Sequence, residues 1–384
     1  MRIVYFSSIY FTDCDFPLIR AYQNRGDKVL YVIKCNSRTG GLFNIKTPLE
    51  NDKLYKAQDI PEVAIYSDYM ELSNVYIMAK SNYIFAQSNY QNFNNLTNLI
   101  RRFKPDVVHI TEAPGISELL TYRFSKNLIL TVHDPFTHSG ETNLINEWKR
   151  FIAFHLCKRL ILLNKSQKKD FERHYHLCNS RIFLNRLGTY DCLPYLANRQ
   201  VFKLKLPEKY ILFFGHFSPY KGIDILCKTM IEIHRSHPDI KCIIAGKGEL
   251  DFNIDHYKNL NYIILKNKFV ETQNLASLIS HCLFTVCPYK DATQSGVVAS
   301  SFALCKPVVA TRVGGLPETV IDNVKGLIAE PNNVSSLTEK IRYLLDNPDK
   351  LHSYEGNIKR EIELPNNSWM AIANKNIDVY KTLK

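Results

Sequence analysis

CPYKDATQSGVVASSFALCKPVVATRVGGLPE, residues 287–318, reads as strand end, polar loop, helix, strand and glycine loop. The run Cys282 to Cys287 is short and apolar and is closed by Pro288; Lys290 to Ser295 is polar. Gly296 to Leu304 is small and apolar throughout, as in a helix packed on several sides. Lys306-Pro307 ends that helix, because a residue before proline is pushed out of the α region. Pro307 to Ala310 is a β-branched strand of the buried, parallel type, and Gly314-Gly315 permits positive φ or a close approach of a ligand to the backbone. In an open α/β sheet, ligands sit outside the carboxyl ends of the strands. The loops Thr293–Gly296 and Thr311–Gly315 both follow a strand, so both line one crevice. The first also opens a helix, whose unpaired N–H groups and dipole suit an anion such as phosphate.

Working outward, the same strand–helix rhythm runs through the chain. Arg2 to Ser8, Lys28 to Lys34, Pro105 to Ile110, Asn127 to Val132 and Arg159 to Leu163 read as buried strands, with helices at Phe16 to Arg25, Asn92 to Phe103 and Trp148 to Cys157. Arg181 to Leu187 is a further strand candidate, while Leu49 to Gln91 has no readable period. A second series starts at Tyr210 to Phe214, with strands at Asp239 to Ala245 and Leu260 to Leu265 and helices at Ile223 to His237, Asn274 to Ser280 and Val334 to Leu345. The length of 384 residues accommodates two such domains. The expected division is 1–205 and 206–365, with a closing helix over 366–384.

No apolar run approaches the roughly 18 residues of a membrane helix. The apolar start MRIVYFSSIYF lacks a small-residue cleavage site and runs into Asp13 and Asp15, so it reads as a first strand rather than a leader. The ten cysteines are scattered, with no CxxC pair, which favours core thiols in a reducing cytoplasm over a zinc site or a disulfide framework. His174 and His176 have no acidic or cysteine partners at ligand spacing, so no metal is expected there. The net charge of +12 comes from 49 basic and 37 acidic residues and suits an anionic partner. No nucleic-acid motif is present. The clusters Arg101-Arg102-Phe103-Lys104 and Lys165 to Lys169 fit an anionic membrane surface.

KPVVATRVGGLPE (306–318) resembles the donor-binding region of the glycosyltransferase family 4 enzymes, and DATQSGV (291–297) looks like a loop variant found in bacterial polysaccharide glycosyltransferases. The resemblance implies an α/β chain of the GT-B fold, two Rossmann-like doubly wound domains facing a central cleft. It implies a retaining transferase that moves a hexose-type sugar from a nucleotide-diphosphate sugar to a hydroxyl of a growing glycan, with no cofactor and no essential metal. FFGHFSPYKGID (213–224) resembles the family's first donor loop. Lys221 matches the lysine on the donor diphosphate, beside Gly215, and His216 stands where arginine is frequent. AGKGE (245–249) matches the family's turn near the donor, with Gly246 and Lys247. LKNKFVETQNLASL (265–278) resembles the segment against the base, with Phe269 and Val270 as wall. LTVHDPFTHSGE (130–141) matches the first domain's contribution, with His133 against the donor sugar and His138 and Glu141 as acceptor candidates.

The chain departs from the family at its pair of glutamates in E-x7-E spacing. Ungapped alignment from Lys306-Pro307 puts those positions at Ala292 and Ser300. Gln294, Ser295, Val297 and the backbone at Gly296 are left to hold phosphate and sugar, with Ser300 toward the ribose. The glycine-rich loop after the first strand is replaced by Ser7 to Asp13. Three functions stay open on these residues: a transferase acting on a glycan or lipid-linked acceptor at the inner membrane face, a sugar-nucleotide-binding protein without turnover, and a nicotinamide-dependent oxidoreductase. Against the last, the third position of its G-x-G-x-x-G fingerprint is Asp251.

Overall fold

Runs of β-branched and aromatic residues, punctuated by Gly, Pro and Asn, make this chain alternate strand and helix, and in the computed structural model they build two separate parallel sheets. The structure describes residues 1–35, 37–51, 53–81, 87–111, 127–137, 144–198, 205–293 and 295–383. Two units result: one from the described residues of Met1–Pro135, Thr142–Gly188 and Pro365–Lys384, the other from those of Phe136–Glu141 and Thr189–Leu364.

In the first unit the strands are β1 (Arg2–Ser8), β2 (Lys28–Cys35), a small hairpin of β3 (Thr39–Gly40) and β4 (Phe43–Asn44), β5 (Leu54–Lys56), β6 (Val75–Ala79), β7 (Val107–Ile110), β8 (Leu128–Val132), β9 (Arg159–Leu162) and β10 (Ile182–Leu184). The main sheet has the order β10-β9-β8-β7-β1-β2-β6-β5. All its pairs are parallel except β5 with β6. Val4 sits between Leu30 and Val108 in register. Strand order reverses at β1, so the crevice outside the carboxyl ends of β1 and β7 is the switch point where such sheets take ligands. The closing helix Trp369–Lys381 packs on the helix Thr12–Asn24, with Tyr22 and Tyr380 hydroxyls 2.6 Å apart in the interior.

The second unit holds β11 (Tyr210–Phe214), β12 (Lys241–Gly246), β13 (Ile263–Asn267), β14 (Thr285–Cys287), β15 (Val308–Thr311) and β16 (Gly326–Ala329) in the order β13-β12-β11-β14-β15-β16, all parallel. Phe213, Ile243, Val286 and Val309 are fully buried, as expected of strands covered by helices on both faces. Here the order reverses between β11 and β14.

Several expectations need correction. The chain divides after Gly188 rather than at 205, because the short helix Cys192–Ala197 packs on the helices Thr272–His281 and Gly296–Ala303 of the second unit. The first helix begins at Thr12, four residues early. β6 lies in the stretch that showed no period. Asn347-Pro348 ends the helix Val334–Asp346, as the sequence suggests, but it also starts a second helix, Pro348–Glu363, that the sequence reading lacked, since proline is pre-organised for a first helical position and its missing N–H is not needed there.

Candidate functional site

The loops after β11 and β14 are fastened together at the second unit's switch point. After β11 the chain reaches Gly215, then the 3-10 turn Pro219–Lys221 and the helix Ile223–Ser236. Gly222 has φ +64, and a Cβ there would lie 1.9 Å from the Pro288 carbonyl oxygen. No other residue fits this left-handed, close-packed position without shifting the loop. The Lys290 N–H donates to the Tyr220 carbonyl (2.7 Å), and the Lys290 ammonium pairs with Asp224 (2.9 Å).

This fastening puts the Lys221 ammonium 3.8 Å from the ring centroid of Tyr289 and 4.8 Å from that of Tyr220. Such cation–π contacts stabilise by roughly 0.5–2 kcal/mol each, more when desolvated. Tyr289 is fully buried. Its hydroxyl lies 3.5 Å from Ser295 Oγ, and its carbonyl accepts from the Thr311 hydroxyl at 2.6 Å. Ser295 caps the helix Gly296–Ala303 by accepting from the Val298 N–H (3.4 Å). One ring therefore joins a cation to the cap of a helix. Burial and the neighbouring Cys287 push the Tyr289 hydroxyl well above its ordinary range. Burial likewise pushes the Cys287 thiol up to about 11, opposed by the Lys221 charge. Both stay neutral, so Lys221 faces no buried anion from either.

The glycine loop after β15 closes the same crevice from another side. Gly314 has φ +48, and a Cβ there would lie 1.6 Å from the Ala292 carbonyl. Its glycine is needed for chain-to-chain approach rather than for a ligand. The Gly315 N–H donates to the Thr293 carbonyl (3.1 Å).

Gly215, Val297, Gly246 and Lys247 come together next to these loops. An ideal Cβ on Gly215 would lie 3.4 Å from Val297 Cγ2. The Gly215 N–H donates to Ala245 (3.1 Å) and the Phe217 N–H to the Lys247 carbonyl (3.0 Å). His216 and the Lys247 side chain are exposed. Ser300 is 5 % exposed, which leaves little of it to meet a ribose. Phe269 and Val270 are half-buried after β13, at the sheet edge. Gln294 lies outside the described residues, as do His138 and Glu141. The Gly246-Lys247-Gly248 loop does not run into a helix; the next is the four-residue Asp255–Lys258. The dinucleotide fingerprint needs a helix N-terminus at that point, so the oxidoreductase alternative loses its footing.

The first unit has its own crevice. His133 follows β8 and stacks on Phe11 from the loop after β1, centroids 4.3 Å apart. Burial lowers its pKa to about 4, against the pull of Asp134, so the imidazole is neutral at pH 7. Beneath it lies a cavity of about 30 Å³ bordered by Asp15, Thr131, Asn185 and Asn376. Asp15 accepts from the hydroxyls of Tyr5 (2.8 Å) and Tyr31 (3.1 Å). Burial pushes its carboxyl up to about 7.

Sequence reasoning missed Tyr289, Asp224 and Asn267. The Asn267 amide holds Gly248 at both its N–H (3.3 Å) and its carbonyl (3.2 Å). No spacing signals any of these three, because each acts across strands. Among the described residues no group of three or more His, Cys, Asp or Glu is arranged to hold a metal ion, and no helix is long and apolar enough to cross a membrane.

Residues 196–361 match the family model for glycosyl transferases group 1, and residues 18–186 match glycosyltransferase family 4. An uncharacterized glycosyltransferase of Methanocaldococcus jannaschii is 30 % identical over 271 residues, which cover 64 % of this chain and 75 % of that protein. Among solved structures, sucrose-phosphate synthase from Thermosynechococcus elongatus superimposes with TM-score 0.73 at 15 % identity, over 100 % of this chain and 99 % of that one. Anabaena HepE in complex with UDP-glucose gives TM-score 0.69 at 14 % identity, over 99 % of both. These likenesses identify the GT-B fold. The chain is a transferase belonging to the group 1 and family 4 glycosyltransferases.

Proposed function

We propose that the protein is a retaining glycosyltransferase that moves a hexose-type sugar from a nucleotide-diphosphate sugar to a hydroxyl of a growing surface glycan, acting in the cytoplasm at the inner membrane face. The observation that carries this reading is the Tyr289 ring, which holds the Lys221 ammonium on its face and reaches the Ser295 cap with its hydroxyl. A cation and a helix N-terminus at one switch point suit a diphosphate leaving group. The solved neighbour's complex with UDP-glucose supports the same donor class.

In this reading Lys221 and the amides around Gly296 take up charge as the bond between the sugar's anomeric carbon and the diphosphate oxygen breaks. The acceptor oxygen forms its bond to that carbon on the same face and gives its proton to the departing diphosphate. Ala292 and Ser300 put no carboxylate at the two positions of the E-x7-E pattern that the chain otherwise resembles, so charge is offset by Lys221, hydroxyls and main-chain N–H groups. His133 in the first unit is neutral at pH 7, which leaves its ring one donor and one acceptor for hydroxyl groups.

The test is thermal stability against UDP, GDP, ADP, CMP and NAD, with Lys221→Ala alongside. A ligand at about 100 times its dissociation constant adds roughly 2.7 kcal/mol. A melting-temperature rise with one nucleoside diphosphate, lost in the variant, supports the reading; a rise with NAD alone, or with none, defeats it.

A further inference from the structure

We propose that the outward face of the helix Leu144–Leu156 docks the protein on the surface of an anionic phospholipid bilayer. This rests on the membrane-side part of the function proposed above and names the surface responsible. Leu144, Ile145 and Trp148 are 87 %, 65 % and 73 % exposed, and Phe151 and Leu156 are exposed beside them. At 100° per residue these five side chains fall on one continuous stripe of the helix. On its inner side Ala153 and Phe154 are buried against the rest of the first unit. The helix also carries Asn146, Glu147, Lys149, Arg150 and His155, and an exposed apolar stripe of this extent beside such polar residues marks a surface that something covers.

The charges around the stripe say what covers it. Between residues 144 and 181 the sequence has nine Lys and Arg against three Asp and Glu. All three acids are engaged: Glu147 with the Tyr175 hydroxyl (3.0 Å), Asp170 with Arg173 (3.9 Å) and Glu172 with Lys168 (3.4 Å). The neighbouring helix Lys168–His174 is held against the stripe-bearing helix by Phe154 and Phe171, centroids 5.0 Å apart. Lys158, Lys165 and Lys169 are exposed around it. An apolar stripe with a basic surround matches hydrocarbon beneath anionic headgroups, and Trp148 suits the interface between them. A second copy seated on this face would bring like charges together.

The other basic cluster singled out in the sequence, Arg101 to Lys104, does not form such a face. Its Phe103 is taken by Arg2, whose guanidinium lies 4.8 Å from the ring centroid and donates to the Phe103 carbonyl.

The test is co-sedimentation of the full chain with vesicles of phosphatidylcholine alone or with phosphatidylglycerol added. The protein is expected to bind the anionic vesicles, to release as salt rises, and to show a blue shift of tryptophan emission. Trp148→Phe is expected to keep binding and lose the shift, which separates Trp148 from Trp369, the chain's other tryptophan. The triple variant Leu144→Ser, Ile145→Ser, Trp148→Ser and the double variant Lys165→Glu, Lys169→Glu should each lower the partition coefficient at least about tenfold. Both should keep the melting-temperature rise with nucleoside diphosphate, which reports folding and tests the donor reading separately. No binding to anionic vesicles, equal binding to both kinds, or a solution dimer that the serine variant dissociates would each overturn the proposal.

Discussion

Replacing Lys221 by alanine should weaken the binding of a nucleoside diphosphate far more than that of the nucleoside. The ammonium is half-buried between Tyr220 and Tyr289. Against a phosphate charge about 4 Å away, at an effective dielectric constant near 20, it gains roughly 4 kcal/mol of Coulomb energy. Part is offset by desolvation and by weakening its contact with the Tyr289 face, which is worth roughly 0.5–2 kcal/mol. A net loss of about 2–3 kcal/mol raises the dissociation constant roughly 30- to 150-fold. Calorimetric titration of wild type and variant with the diphosphate that stabilises the protein, and with its parent nucleoside, gives both numbers. Lys221→Arg should recover part of the loss, because the charge stays but the guanidinium is too wide for the same seat on the ring. An alanine variant that binds the diphosphate within about threefold of wild type, while melting normally, would refute the placement of the diphosphate over Tyr289.

Gly222→Ala puts a methyl 1.9 Å from the Pro288 carbonyl at φ +64; it should cost about 2–4 kcal/mol in denaturant unfolding and lower diphosphate affinity together with stability. His133→Ala should reduce the rate of sugar transfer at least about tenfold yet leave the thermal shift with nucleoside diphosphate in place; loss of that shift would assign the histidine to nucleotide binding instead. Asp15 has a folded pKa of about 7 against roughly 3.9 when unfolded. The folded chain therefore holds a proton that the unfolded chain has lost, and stability falls as pH rises from about 4 to 7 and then levels. Asp15→Asn should flatten that slope, leaving the part due to Asp13, which burial also pushes up to about 7. A denaturant-midpoint profile unchanged in the variant would put the titration elsewhere.

The fold was legible wherever an apolar run met a residue that stops it. Tyr210 to Phe214 ends at Gly215, and Gly296 to Leu304 is cut off by Lys306-Pro307, so both edges of the second unit's crevice could be found without coordinates. The same reasoning stopped short where one signal does two jobs. Asn347-Pro348 ends the helix Val334–Asp346 and starts the next one, which shows itself only by packing Leu351, Tyr354 and Ile358 into the second unit. Glycine positions in the candidate site were readable because a close approach of backbone demands glycine wherever it occurs, whereas Lys221 was singled out by the family resemblance alone. Tyr289 was not, since a tyrosine after a strand looks the same whether it floors a crevice or faces water.

The first unit shows why its side of the site left so little trace in the sequence. Its crevice is underlain by a chain of side chains from four separate segments. Asn376 donates to the Tyr22 hydroxyl (2.9 Å), and Tyr22 lies 2.6 Å from the Tyr380 hydroxyl. Tyr380 in turn meets His109 Nδ1, and His109 Nε2 meets the Thr131 hydroxyl at 2.7 Å. Burial lowers the His109 pKa to about 3, so the ring is neutral and has one donor and one acceptor. The two tyrosine hydroxyls share one hydrogen bond, and His109 meets a hydroxyl at each ring nitrogen, so the direction of the whole row turns with the His109 tautomer. Thr131 at its end lies two residues before His133. Tyr22 and Tyr380 are 358 residues apart; no local pattern can announce such a pairing. The closing helix is thus part of the interior on which the His133 loop stands, and its Asn376 and Tyr380 complete a row that reaches a histidine no motif distinguishes.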